Sequence, residues 1–493
     1  MKTVVKIDPE LEYENAKKII GLVSKQMLDS DQISSLDSSV ANLATVARVL
    51  LEREARRRGP PKPNPKNKTP KNKNNKEREN SSKLPSVKYP DIELREEIVR
   101  PAVVPTCPCC SSEMKESGLF DLTEKLEVEP KKYYIQRSKR VKFNCSKCYG
   151  AMINTPSTPS IVQTSNYGDS LIIDVALSKY CDLIPVERYA QMAVQSGLMG
   201  ELPPHSLIGL THHLANFLRG VYEKLINEVL LSKVLHADET PHKMLEGDET
   251  YHWYLWGFFS TKGCYFEAHG TRSGDVAFKN LEKSAAEFLL TDGYAGYGKA
   301  VKDLEKKTGK KIKEVHCNSH AYRYFKDAST TWKSECEIFL SLYGQIYKLE
   351  DECKLASIED QLEYRNKMLP LFEEIKTTCE RDLKQAMSNS FYQKAMNYFL
   401  NHYEGLTICT QHIDVPLDNN LAEREFRSPV IGRKTWIGTH SKRGAETTAI
   451  LFSIVRSCMM NKVNPRNYFP WIVNQIHVGK EILTPYEYLQ TLG

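Results

Sequence analysis

KVLHADET (233–240), YHWYLWGFFS (251–260), CYFEAHG (264–270) and EFLLTDGY (287–294) are four runs rich in aromatic and β-branched residues. That composition suits pleated, half-buried strands. A helix-spaced stretch from Val276 to Ala286 separates the third run from the fourth, and KIKEVHC (311–317) reads as a fifth strand. Three strands, a helix and a further strand begin an α/β fold.

Two of these runs close on an acid. Asp238 ends the first and Asp292 the fourth. A carboxylate just past a hydrophobic strand faces a cleft edge, where it can meet a metal and a substrate. Glu423, in DNNLAEREFR (418–427), opens a helix-like stretch. Hard oxygen ligands of this kind suit Mg²⁺ (or Mn²⁺). Two such ions clamp the attacking and leaving oxygens of an in-line phosphoryl transfer. The chain has 62 acidic residues, so many such triples exist. By pattern alone, a capping Asp or a surface Glu is the plainer reading.

Outward from this core the chain changes character several times. Residues 165 to 233 are helical by spacing, over Leu171–Tyr180, Glu187–Ser196 and Ser206–Leu231, with breaks at Gly197, Gly200 and Pro203-Pro204. An ordinary helical subdomain fits, and so does a helix-turn-helix with the helix after Pro204 in a DNA groove. From Ala321 to Asn401 the reading is again helical, with long polar faces. Pro465 and Pro470 punctuate the C-terminal segment.

The N-terminal part is different. Ile33, Leu36, Val40, Leu43, Ala47 and Leu50 recur at steps of three and four, as in a dimerising coiled coil or a packed amphipathic helix. Between Arg53 and Lys83 stand 12 Lys/Arg and 3 Asp/Glu, which outweighs the whole chain's net charge of +6. The basicity is therefore local, as in a tethered phosphate-binding arm or a solvated linker. GPPKPNPKNKTPKNKNNKERENSSK (59–83) holds almost nothing apolar and is expected to be disordered. Two C-x2-C pairs follow, Cys107/Cys110 and Cys145/Cys148, separated by strand-like segments. Four thiolates so paired can hold Zn²⁺ tetrahedrally and fold a small unit. Cys109 is a spare thiol beside them.

No run of 18 or more apolar residues appears, which argues against a membrane span. The N-terminus has no apolar core of signal-peptide length, so a cytosolic protein is expected. Its 13 cysteines are then thiols or metal ligands.

HADETP (236–241), LLTDGYAGY (289–297), HCNSHAYRYF (316–325) and the block from DNNLAEREFR to SIVRSC (418–458) resemble the transposases of the insertion sequence 66 family. SKYCDLIPVERYAQMAVQSG (178–197) is similar to that family's helical region. The resemblance covers nearly the whole chain. It implies a bacterial, nucleoid-associated enzyme with a ribonuclease-H-like fold and Asp-Asp-Glu chemistry, acting on double-stranded DNA at element ends and target. Carried over, Asp238, Asp292 and Glu423 are the catalytic metal ligands. The resemblance also implies self-association and accessory proteins from the same element. Two features depart from the family: the linker is Lys/Asn-rich, and the first cysteine pair reads CPCC.

The expected architecture is multidomain α plus α/β. It comprises a dimerising helical segment (1–58), a basic linker (59–88), a zinc-binding unit (89–160) and a helical DNA-binding region (161–233). A ribonuclease-H-like core follows in two parts (234–320 and 406–460), split by a helical insertion (321–405), with a C-terminal segment (461–493). Cys317 and His320 form a C-x2-H at the start of the insertion, read as a structural contact rather than a metal site. Arg424, Arg427, Arg433, Lys434, Lys442 and Arg443, with Trp436 among them, form a basic cluster suited to phosphates and an unpaired base.

Overall fold

In the computed structural model, the described residues are 157–492 apart from 199, 201 and 246–251, with 85–88, 94, 125, 131–140, 142–144 and 152–154. The Ile33–Leu50 heptads, the Arg53–Lys83 arm, and Cys107, Cys110, Cys145 and Cys148 lie outside them. The chain divides into a unit of Pro60–Ile135 and a larger one made by the rest. In the smaller unit a single helical turn, Pro85–Lys88, is described. The larger unit includes an antiparallel ribbon of β1 (Lys142–Asn144) and β2 (Met152–Asn154).

Four helices precede the main sheet: α1 (Asp169–Tyr180), α2 (Val186–Gln195), α3 (Pro204–Phe217) and α4 (Arg219–Leu230). The expected single helix over Ser206–Leu231 is two helices, with the break at Leu218. α3 buries Leu207, Leu210 and Leu214 and packs on α1. His205, His213 and Asn216 form its exposed side.

The sheet has the order β5-β4-β3-β6-β7, from β3 (Val234–Lys243), β4 (His252–Phe259), β5 (Cys264–His269), β6 (Phe288–Thr291) and β7 (Lys313–His316). β3, β4 and β5 form an antiparallel meander, and β6 and β7 run parallel to β3. β3 continues past Thr240 through Pro241 to Lys243. A proline lacks the amide N–H that a central strand needs. It is tolerated because β6 pairs only as far as His236, so Pro241 has a neighbour strand on one side alone.

Alternation along β3 sorts the two faces. Leu235 and Ala237 join Trp256, Phe258, Tyr265 and Leu289 in one core. That core is covered by α4, α5 (Gly274–Lys283) and α6 (Ala295–Thr308). The other face carries His236, Asp238 and Thr240. It is covered by α12 (Asn420–Trp436) and by a helical block. The block consists of α7 (Asn318–Ala328), α8 (Lys333–Leu355), α9 (Ile358–Asn366), α10 (Leu369–Asp382) and α11 (Phe391–Thr407). Phe325, Phe339, Phe372 and Phe399 form one continuous core with Phe288, Leu290 and Val315 of β6 and β7. The block is thus fused to the sheet.

α13 (Lys442–Met460) lies along the edge strand β5. Ser457 Oγ accepts the Cys264 N–H at 2.9 Å and Ser453 Oγ accepts the Phe266 N–H at 2.8 Å. These hydroxyls cover an edge that would otherwise invite another strand. The chain ends with α14 (Pro465–His477) and α15 (Pro485–Thr491). No helix among the described residues is long and apolar enough to cross a membrane.

Candidate active site

Asp238 lies on β3 directly opposite Gly257 of β4. Cross-strand partners point to the same face, here the face under α12. A Cβ at Gly257 would come within 2.8 Å of the Phe426 ring and 2.5 Å of the Phe259 ring. Only glycine leaves room for Phe426 to press on the sheet beside Asp238. Phe426 also packs edge-on against Phe259 and Phe266. It stands one turn after Glu423 on α12, so this contact draws Glu423 toward Asp238. Gly257→Ala is expected to destabilise the protein by about 1–3 kcal/mol through overpacking, read by chemical denaturation.

The parallel register pairs His236 with Leu290. Continued two residues, it sets Asp292 level with Asp238 on the neighbouring strand. Asp292 Oδ1 accepts the Tyr294 N–H at 2.8 Å, which fixes the turn after β6. Gly293 takes φ +89°, and its missing Cβ would lie 2.9 Å from His402 Nε2 on α11. Tyr398, also on α11, donates its hydroxyl to the Asp292 carbonyl at 2.7 Å. The helical block therefore holds the Asp292 turn from below.

Glu423 is in the first turn of α12. The three carboxylates share one electrostatic neighbourhood. Asp238 is pushed up to about 8 by burial, then by the negative charges of Glu239, Asp292 and, more weakly, Glu423. All three residues are half-buried. The neighbouring acids have other employment. Glu239 points to the opposite face, where it accepts from Tyr297 Oη at 2.6 Å and pairs with Arg272 at 2.6 Å. Glu425 is buried against Arg456 at 2.6 Å.

Asn419 ties the start of α12 to β3. Its Nδ2 donates to the Ala237 carbonyl at 3.1 Å, and its Oδ1 lies 2.8 Å from His236 Nδ1. Since Nδ2 donates, Oδ1 accepts, and His236 carries its proton on Nδ1. Burial lowers His236 to about 4, so the ring is neutral. The Asn419 N–H donates to Cys317 Sγ at 3.1 Å. Asn419→Ala leaves two buried partners unpaired, each costing about 1–3 kcal/mol. We expect that loss in denaturation.

The C-x2-H motif reaches this site. Cys317 caps α7 and is fully buried, and His320 lies in its first turn. His320 Nδ1 is 3.6 Å from Glu423 Oε1. Arg323, one turn further, places Nη2 3.3 and 3.2 Å from the two Glu423 oxygens. Burial lowers the His320 pKa, with Arg323 acting in the same direction and Glu423 and Asp292 opposing. Sequence reasoning missed Arg323 and Asn419. The spacing Cys317, His320, Arg323 on one helical face was the available signal for the first.

The basic cluster divides. Arg427, Lys434, Lys442 and Arg443 are exposed, and Arg424 is exposed while pairing with Glu425 at 3.0 Å. Arg433 is half-buried and donates to Thr240 Oγ1 at 3.1 Å. Trp436 stacks on Phe452 at 6.4 Å, with the Lys179 ammonium 4.8 Å from its ring.

Residues 164–447 match the family described as "Transposase IS66 family". Three proteins of Sinorhizobium fredii (strain NBRC 101917 / NGR234) are similar at 24% identity. They are the uncharacterized protein y4hP, over 77% of this chain and 73% of its own length; y4jD, over 78% and 77%; and y4qI, over 78% and 72%.

Proposed function

The chain belongs to the transposase IS66 family, and from that premise we propose that it cuts and rejoins insertion-sequence DNA at a magnesium site of Asp238, Asp292 and Glu423. One observation carries the reading. Asp238 sits in shared negative charge with Asp292 and Glu423, on the face where α12 and the helical block meet the sheet. Such a cluster calls for a cation, and its hard oxygen donors suit Mg²⁺ (or Mn²⁺). Bound there, the metal would polarise a phosphoryl oxygen and stabilise the attacking and leaving oxygens. The strand order β5-β4-β3-β6-β7, with β6 and β7 parallel to β3, supports assigning the core as ribonuclease-H-like.

The protein's own groups position this site. Asn419 and Phe426 hold the Glu423 helix against β3 and β4. Tyr398 holds the Asp292 turn. Arg323 neutralises Glu423 and is half-exposed, so its guanidinium can turn to a phosphate. Arg424, Arg427, Lys434, Lys442 and Arg443 offer further phosphate contacts. Arg433 and Trp436 enter the proposal as supports, since Thr240, Phe452 and Lys179 engage them. Cys107, Cys110, Cys145 and Cys148 are assigned to Zn²⁺, and the helices of 161–233 to element-end recognition. Ile33–Leu50 is assigned to self-association.

Strand transfer by the purified protein on DNA carrying the element's terminal repeats tests the reading. A magnesium-dependent joined product is expected. Cleavage without joining would make the protein a nuclease, and binding without cleavage a non-catalytic DNA-binding protein. Deleting residues 53–83 should weaken binding to specific and random DNA by similar factors. Each lost phosphate contact should lower the log–log salt slope by about 0.9. A loss of discrimination at unchanged slope would instead place end recognition in the arm.

A further inference from the structure

Cys317, His320 and Glu423 each present a ligand atom, and these atoms all lie within 4.8 Å of one another. They are a thiol, an imidazole nitrogen and a carboxylate, the donor types that zinc-class ions take. Three features make the cluster more than a coincidence of side chains. His320 Nδ1 is sealed from solvent without a hydrogen-bond partner, and it faces Glu423. Cys317 Sγ lies where the N-termini of α7 and α12 converge and accepts the Asn419 N–H. Burial keeps this group a thiol at rest, raised to about 11, while the backbone N–H groups of Asn419 and His320 oppose that shift. Finally, Arg323 already holds a cationic group on Glu423, so positive charge is accommodated there.

We propose that Cys317 Sγ, His320 Nδ1 and the Glu423 carboxylate bind one thiophilic divalent cation of the zinc class, and that its binding withdraws Glu423 from Asp238 and Asp292. The second half rests on the catalytic reading of Glu423 above. Tetrahedral zinc with bonds of about 2.0–2.3 Å needs ligand atoms roughly 3.3–3.8 Å apart. The cluster must therefore close by on the order of 1 Å, within the reach of Glu423 and His320 rotamers on their helices. Cys317 gives up its thiol proton to solvent as the metal–sulfur bond forms. The Arg323 guanidinium leaves Glu423, and water completes the fourth position. The ion is a reversible inhibitor: it replaces one cation at Glu423 with another that cannot serve Asp238 and Asp292.

Cobalt(II) titration of the full chain tests the site, because a cobalt–thiolate bond gives a charge-transfer band. The wild type should bind one more equivalent than Cys317→Ser or His320→Ala, with the variants' circular dichroism unchanged. Glu423→Gln should weaken that equivalent about tenfold or more. Superimposable titrations of the wild type and both first variants would overturn the site. In a magnesium-supported cleavage assay, the zinc concentration giving half inhibition should rise about tenfold or more in Cys317→Ser, each protein normalised to its own zinc-free rate. Equal zinc sensitivity would overturn the inhibitory role. The two readings fail separately. Cleavage by Glu423→Gln would remove the catalytic assignment while leaving the wild-type cobalt signal intact. An inactive Glu423→Gln beside a wild type that binds no more cobalt than Cys317→Ser would remove only the metal site.

Discussion

Asp238→Asn is expected to abolish DNA cleavage while leaving binding to element ends intact. The amide keeps the shape but removes the charge that would hold a metal between β3 and α12. Losing one hard ligand at a phosphoryl-transfer site should cost about 4 kcal/mol of transition-state stabilisation or more, a rate loss on the order of a thousandfold. Stability should move the other way. In the metal-free fold the Asp238 carboxyl is raised from 3.8 to about 8, by burial first and by Glu239, Asp292 and Glu423 next. A raised folded-state value means that the native chain binds more protons than the unfolded one across this window. Metal-free stability therefore falls as pH rises from about 4 towards about 8. Asp238→Asn removes that burden, so in chelator at pH 8 it should melt no lower than the wild type. Gel-shift, cleavage and thermal-melting assays read the three effects. Retained cleavage would move the chemistry to another group. A sharply lowered melting temperature would reduce the inactivity to misfolding.

The largest stability effect is expected from Arg365→Ala. Arg365 on α9 is buried, with Nε 2.7 Å from Glu350 of α8. It also donates to the carbonyls of Cys409 and Val415, both at 2.9 Å. One guanidinium thus joins two helices to the segment that leads into Asn419. Its removal leaves two carbonyls unpaired and the buried Glu350 carboxylate with only the exposed Lys354, 3.9 Å away, and breaking such a pair costs about 3–5 kcal/mol. Glu350→Gln should cost less, because the amide still accepts from Arg365. Denaturant unfolding of the two variants gives the comparison, and equal losses would assign the effect to the carboxylate alone. Arg365→Ala should also raise the magnesium requirement, since Val415 lies just before the helix that carries Glu423.

The sheet was legible because its strands are written in aromatic and β-branched residues, and each of the five expected runs contains one. Asp292 stands just past the end of β6, as expected, but Asp238 lies in mid-strand, because β3 runs from Val234 to Lys243, paired with β4 as far as Lys243, and the apolar run that marked its end covers only the first half. The break between α3 and α4 was not, because Leu218 is neither glycine nor proline and the turn is made by packing. The helical block looked continuous for the same reason: α8 ends at Leu355 without a strong breaker. The roles of Glu239 and Glu425 were also hidden. Each sits beside a site acid in sequence, and only the strand face or helix face separates DE in HADETP, or the two glutamates in AERE. Trp436 reads as a free aromatic among cations, yet its neighbours Phe452 and Lys179 come from other helices. Exposure is a property of the assembled fold, and a local word does not carry it.

The helical block between β7 and α12 also orders events in time. During synthesis, Asp238 and Asp292 emerge first, then the whole of α7 through α11, and only afterwards Glu423. The last acid can dock only on a face that the block has already completed, since Tyr398 and His402 of α11 set the turn that bears Asp292. An unfinished or prematurely terminated polypeptide therefore carries two carboxylates without the third. On the proposed function, such a fragment lacks the complete acidic set that cleavage needs.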